Sequence, residues 1–207
     1  MIVIGLTGSI AMGKSTVSVM FREAGAPVFD SDEAVHRLYS GPAAAEIDEA
    51  FPGVLVDGAV DRGRLSERVL NDPVALARLE AIVHPKVADS REKFLKEAAA
   101  AGRRVVVIDI PLLFEAGADK SVDLIVVVSA PEPVQKARAL LRKGMTEARF
   151  AAIVAKQTPD REKRRRAHFV IETDCPFEKT RAKTRGLLRS VAGMTGRILY
   201  LNARNRS

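Results

Sequence analysis

Residues 8–15 read Gly8-Ser9-Ile10-Ala11-Met12-Gly13-Lys14-Ser15, and no other stretch constrains the fold as much. They satisfy G-x-x-x-x-G-K-[ST], a loop whose backbone N–H groups turn inward around a polyphosphate. The pattern carries weight only between a strand and a helix, and both are written beside it. Ile2-Val3-Ile4-Gly5-Leu6 is a short apolar run that predicts a buried strand. Residues 16–24 predict a helix, with Val17, Met20 and Phe21 at helical spacing and Gly25 as its stop. The unpaired N–H groups and positive dipole end of that helix complete an anion site. Gly8 and Gly13 give the loop conformations that a side chain resists and let backbone approach phosphate closely. Lys14 is expected to reach the β- and γ-phosphates, and the Ser15 hydroxyl to ligate Mg²⁺. The competing reading is a turn that opens a helix, with Lys14 a solvated surface lysine. It does not account for the flanking strand and helix.

The chain has 207 residues, 47% hydrophobic and 29% charged, which suits a globular protein with one sizeable core and small insertions. Residues 1–6 lack the basic start and the long apolar run of a signal peptide. No apolar run approaches the ~20 residues that a membrane helix needs. A single cysteine, Cys175, excludes an internal disulfide and fits a reducing cytoplasm. Three scattered histidines and that cysteine make no zinc cluster. The net charge of +7 fits either a nucleic-acid surface or a pocket for polyanionic small molecules. Two tyrosines and no tryptophan leave few platforms for stacking bases, which favours the pocket. Neither a nucleic-acid nor a membrane partner is expected.

Ala26-Pro27-Val28-Phe29 predicts a second strand ending at Asp30, with Ser31 as a helix cap and Asp32 and Glu33 in the first turn. From there to Gly102 the pattern is mainly helical. Breaks are expected at Gly41-Pro42, residues 51–61, Asn71-Asp72-Pro73 and His84-Pro85. Residues 54–60 predict a hairpin around Asp57-Gly58, and residues 86–101 a long helix stopped by Gly102. Residues 105–110 and 124–128 are continuous β-branched runs, hence central parallel strands buried on both faces. Helices are predicted at residues 132–143, 146–157 and 177–192, and a last strand at Phe169-Val170-Ile171. Such alternation implies a doubly wound α/β sheet, whose ligands sit beyond the carboxyl ends of the strands. The loop, Asp30, Asp109 and Pro111-Leu112-Leu113-Phe114-Glu115 all fall at that edge.

Several segments in order now point to one family. They are Gly5-Leu6-Thr7-Gly8, Val28-Phe29-Asp30-Ser31-Asp32, Val83-His84-Pro85, residues 109–115, Gln135-x-x-Arg138-x-x-x-Arg142, Gln157 and residues 167–171. Over nearly its whole length the chain resembles the dephospho-CoA kinase family. The resemblance implies a three-layer P-loop kinase fold with a central five-stranded parallel sheet. It implies a single domain in which residues 1–30, 103–132 and 167–195 form the nucleotide-binding core. Residues 31–102 would be the helical coenzyme-binding insert and residues 133–166 a lid. The reaction implied is transfer of the ATP γ-phosphoryl to the ribose 3′-hydroxyl of dephospho-CoA, with Mg²⁺, by a cytoplasmic monomer or homo-oligomer.

The resemblance also assigns roles. Asp32, Lys14 and Arg142 would be catalytic, with Asp32 taking the proton of the acceptor hydroxyl. Gly8, Ala11, Met12, Gly13, Lys14, Ser15, Thr16, Arg138 and Arg142 would bind ATP. Asp32, His84, Leu112, Leu113 and Phe114 would bind dephospho-CoA. Ser15, Asp30 and Asp109 would serve Mg²⁺. By residue chemistry alone Asp32 reads equally as a first-turn aspartate complementing its helix dipole, and Asp109 as a strand-end cap. His84 alone reads as structural, the residues 112–114 as core, and Arg138 and Arg142 as a solvated helix face pairing with Glu132 or Glu147. The chain departs from the family pattern at Ser9 and Ala11, where glycine is common. A positive φ at position 11 would cost alanine on the order of 1 kcal/mol. It also departs at His168 and Thr173, both expected to be peripheral to the chemistry. A nucleotide or shikimate-type kinase shares the P-loop and lid but has no reason for His84-Pro85 together with residues 111–115. A guanine-reading Asn-Lys-x-Asp is absent, since Asn71, Asn202 and Asn205 precede no lysine.

Overall fold

The computed structural model describes residues 1–70 and 72–197. Asn71, at one expected break, and residues 198–207 lie outside the described residues. The chain divides into two compact units, one made of Met1–Phe29 and the chain from Ala98 onward, the other of Asp30–Glu97.

The first unit is built on a five-stranded sheet. Its strands are β1 (Ile2–Thr7), β2 (Val28–Asp30), β5 (Val105–Asp109), β6 (Leu124–Ser129) and β7 (Phe169–Glu172), in the order β2-β5-β1-β6-β7. β1 pairs in parallel with both β5 and β6, and β6 in parallel with β7. Every residue of β1 and β6 is buried, as continuous apolar runs in a doubly covered sheet require. Helix α1 (Lys14–Glu23) packs beside α9 (Phe177–Val191), and Val17, Phe21, Leu187 and Val191 join the strands in one core. His168 fastens the start of β7: its N–H donates to the Ile125 carbonyl at 2.9 Å, and its Nδ1 accepts from the Ile125 N–H at 3.0 Å.

The second unit holds α2 (Ser31–Tyr39), α3 (Ala44–Ala50), the hairpin β3 (Leu55–Val56) and β4 (Ala59–Val60), and α4 (Arg62–Val69). It also holds most of α5 (Pro73–Ala100). The hairpin turns at Asp57 (φ 51°) and Gly58 (φ 78°), both left-handed, the geometry that matches strand twist. Leu38, Ile47, Phe51, Val54, Leu65 and Val83 form its own core.

Three local expectations are corrected. The cap of α2 is Asp30, not Ser31: Asp30 has extended backbone and its carboxylate accepts from the Glu33 N–H at 3.1 Å, while Ser31 is already helical. No break occurs at His84-Pro85, because α5 runs through Pro85 for 28 residues. His84 and Pro85 are exposed, so water can satisfy the carbonyl that proline leaves unpaired. Of the helices α6 (Glu132–Leu140), α7 (Glu147–Ala155) and α8 (Asp160–Arg166), α6 stops three residues short of residue 143. Gly144 at φ 75° reverses the chain there, and Thr146 caps α7. No described helix is long and apolar enough to cross a membrane.

Candidate active site

The loop between β1 and α1 is shaped by different demands at each glycine. A Cβ on Gly8 would stand 2.6 Å from the Val128 carbonyl oxygen, so Gly8 is needed for close approach to β6 rather than for an unusual φ. Gly13, by contrast, is the N-cap of α1 with φ 93°. Ala11 adopts φ 60°, the left-handed conformation that costs a non-glycine residue roughly 1–2 kcal/mol. Its methyl is buried against Ala139 and Phe150, which offsets part of that strain.

The helix that follows is set up for an anion. Among the described helices, α1 alone has neither a side chain capping its N-terminus nor an acidic residue in its first turn. Asp30, Asp61, Asp72 and Thr146 cap α2, α4, α5 and α7. Glu46, Glu132, Asp160 and Glu178 sit in the first turns of α3, α6, α8 and α9. Leaving the α1 N–H groups open is useful only where a ligand supplies the negative charge.

Lys14 ion-pairs with Asp109, the last residue of β5. Asp109, a carboxylate expected to hold Mg²⁺-bound water, is 1% exposed and sets where the lysine head group rests. Ser15 is exposed and Thr16 half-buried at the first turn of α1. Met12 is buried, and its Sδ accepts from the Ala130 N–H.

Thr173, immediately after β7 and expected to be peripheral to the chemistry, touches the loop directly. Its hydroxyl donates to the Met12 carbonyl at 2.8 Å and accepts from Arg138 at 2.9 Å. A second Arg138 nitrogen donates to the Thr173 carbonyl at 2.9 Å. Arg138 thus grips the end of β7 with two bonds of its fork. The signal available beforehand was position alone: Thr173 follows a strand at the carboxyl edge of the sheet, where the loop also lies.

Arg142 lies in the turn after α6, not on the helix face with Arg138, and is exposed. Lys136, rather than either arginine, pairs with Glu147, at 3.1 Å. The segment after β5 splits by residue. Leu112 is exposed, whereas Phe114 is covered by the Arg166 guanidinium 4.2 Å above its ring. Leu113, expected to touch substrate, is corrected to core: it is 0% exposed and its Cδ1 lies beside Gly5. Glu115 accepts from the Thr158 N–H at 2.7 Å and pairs with the fully buried Lys163 at 2.9 Å. In the second unit Asp30 caps α2, Asp32 is exposed in its first turn, and His84 is exposed midway along α5.

A phosphate loop alone does not name an enzyme; similarity over the whole chain does. The dephospho-CoA kinase family model matches residues 2–178. The chain belongs to the dephospho-CoA kinase family. The Mesorhizobium japonicum dephospho-CoA kinase is 56% identical over 196 residues, covering 95% of this chain and 100% of that one. Among solved structures, a Thermus thermophilus protein superposes with TM-score 0.78 at 35% identity, over 94% of this chain and 98% of that one. A dephospho-CoA kinase from Campylobacter jejuni shares the fold, with TM-score 0.62 at 22% identity over 91% and 96% of the two chains. Ala11 at positive φ takes a conformation that glycine would adopt without a steric penalty.

Proposed function

We propose that this protein transfers the γ-phosphoryl group of ATP to the ribose 3′-hydroxyl of dephospho-CoA, giving CoA and ADP. Membership of the family supports the reaction. The observation that carries the ATP half is the uncapped, acid-free N-terminus of α1 opening directly after a loop with left-handed Ala11 and Gly13. Transfer through a loose transition state asks the protein mainly to position and neutralise. Lys14, held by Asp109, supplies a cation for the β- and γ-phosphates. The backbone N–H groups of the loop and of the first turn of α1 cradle the remaining oxygens. Arg142, exposed in the turn after α6, supplies a planar fork suited to phosphate.

The donor set suits Mg²⁺ held mostly by phosphate oxygens and water. The described residues contain no cluster of three His, Cys, Asp or Glu side chains, and Mg²⁺ in kinase sites does not require one. The Ser15 hydroxyl would hold the ion, which spreads the phosphate charge when bound. Asp30 caps a helix and Asp109 holds Lys14, so both would act on the ion only through water. Asp32 orients the acceptor hydroxyl and takes its proton; Leu112 and His84 offer exposed surface to the coenzyme. Residues 133–166, spanning α6 to α8, serve as a lid that excludes water and prevents idle hydrolysis. The protein works in the cytoplasm, with ATP and dephospho-CoA as its partners.

The test is an ATP-consumption assay with dephospho-CoA, AMP, CMP and shikimate as acceptors. Turnover specific to dephospho-CoA, with Asp32→Asn lowering kcat about 10²–10⁴-fold, is expected. Equal turnover with AMP or shikimate, or none with dephospho-CoA, overturns the reading.

A further inference from the structure

The middle of the phosphate loop is held from outside by two amides. Gln135, in α6 and 4% exposed, donates its Nε2 to the Ile10 carbonyl at 2.8 Å. Gln157, between α7 and α8, offers its Oε1 to the Ile10 N–H at 3.0 Å. Both backbone groups of one loop residue are therefore taken by side chains more than a hundred residues away in sequence.

This arrangement decides which way the neighbouring peptide planes face. In a planar trans peptide the C=O and the following N–H point in opposite directions. With the Ile10 carbonyl drawn to Gln135, the Ala11 N–H points to the opposite side, away from α6. The Ser9 carbonyl is likewise opposed to the Ile10 N–H, and it accepts from the Met12 N–H at 3.2 Å inside the loop. If the Ile10–Ala11 peptide flipped, a carbonyl oxygen would face the side where N–H groups gather, repelling phosphate. Ala11 at φ 60° lacks glycine's intrinsic ease in that conformation, so the geometry depends on contacts of this kind.

We propose that Gln135 and Gln157 are positioning residues for ATP. They act as a donor–acceptor clamp on Ile10 that keeps the loop's N–H groups turned toward the phosphates. The clamp also ties the segment assigned as the lid to the loop, since both glutamines lie within residues 133–166. The proposal rests on the kinase reading for its ligand but is read through nucleotide binding alone.

The experiment compares Gln135→Glu with Gln157→Glu in the full chain. Both add one negative charge beside the same residue, so charge effects are common to the pair. Gln157→Glu keeps an acceptor for the Ile10 N–H. Gln135→Glu loses the donor and sets a carboxylate against the Ile10 carbonyl. Affinity is measured by calorimetric titration with a non-hydrolysable ATP analogue, and KM for each substrate by initial rates. Gln135→Glu is expected to weaken analogue binding about ten- to hundredfold more than Gln157→Glu, with KM for dephospho-CoA moving less than KM for ATP. If Gln135→Glu does not fold, Gln135→Leu replaces it and is compared with Gln157→Leu and Gln157→Glu. Rescue by glutamate at 157, set against loss with leucine at either position, is then expected. Equal effects of the two glutamate variants, or equal shifts in both KM values, overturn the clamp. In the fallback set, no gain of Gln157→Glu over Gln157→Leu overturns it. Failure to turn over dephospho-CoA while the analogue affinities still separate overturns the acceptor assignment instead.

Discussion

The Thr173 hydroxyl donates to the Met12 carbonyl across 2.8 Å, joining the end of the last strand to the phosphate loop. The same oxygen accepts from Arg138, so one buried hydroxyl, 7% exposed, serves α6, β7 and the loop together. Because Gly13 lies against the Thr173 side chain, this contact also sets how close the loop comes to β7.

Thr173→Val keeps the shape and removes the hydroxyl. It leaves the Met12 carbonyl unpaired and takes one bond from Arg138, at a cost of about 1–3 kcal/mol. A lower urea midpoint and a raised KM for ATP are expected. Thr173→Ser, which retains the oxygen, should recover most of the loss in KM.

Ala11 carries opposing terms. Ala11→Gly relieves roughly 1–2 kcal/mol of left-handed strain. It loses a buried methyl worth about 0.8 kcal/mol and frees the unfolded chain by about 0.4–1 kcal/mol. The expected change in unfolding free energy is therefore within about 1 kcal/mol of zero. Ala11→Val, β-branched at φ 60°, should be clearly destabilising in the same urea titration.

Lys14→Met tests the charge at the loop. It removes the cation that neutralises the transferring group, and kcat should fall about 10²–10³-fold. Asp109→Asn keeps the lysine but loosens its placement, so a smaller fall in kcat is expected, with ATP affinity still weakening as salt rises.

Much of the fold was written in the chain because strong local patterns and tertiary demands agree. β1, β5 and β6 are apolar runs that can be satisfied only by burial on both faces, and the Asp57-Gly58 turn is specified by two residues that tolerate positive φ. The errors have the opposite cause. Pro85 sits on an exposed part of α5, where its missing N–H is cheap, so the local breaker lost to the helix around it. Leu113 looks the same in sequence as exposed Leu112, and only the packing beside Gly5 separates them. At the site, Lys14 and the glycines are recognisable from the loop pattern, with Gly13 required by its positive φ and Gly8 by its approach to the Val128 carbonyl. Thr173, Gln135 and Gln157 act through contacts more than a hundred residues apart, and their side-chain chemistry is ordinary elsewhere.

The ion pair of Glu115 and Lys163 ties the segment after β5 to α8. Lys163 is 0% exposed, whereas the Glu115 side chain keeps 17% exposure. Removing the acid is therefore worse than removing the base. Glu115→Gln leaves a buried, uncompensated cation and should cost about 3–5 kcal/mol. Lys163→Met leaves a carboxylate that still accepts from the Thr158 N–H and reaches water, so it should cost less. The pair also sets a pH dependence. Burial raises the Glu115 carboxyl, but the Lys163 hydrogen bond, the N–H groups of Glu115 and Thr158 and the Lys163 charge together hold it below its ordinary 4.5. A carboxyl lowered on folding contributes stability that is present above the ordinary value and lost as pH falls through the folded one. The urea midpoint of the unaltered protein should therefore decline as pH drops below about 4.5. Glu115→Gln, already weaker at pH 7, should show a shallower acid decline; an identical slope in both proteins would rule out this pair as its source.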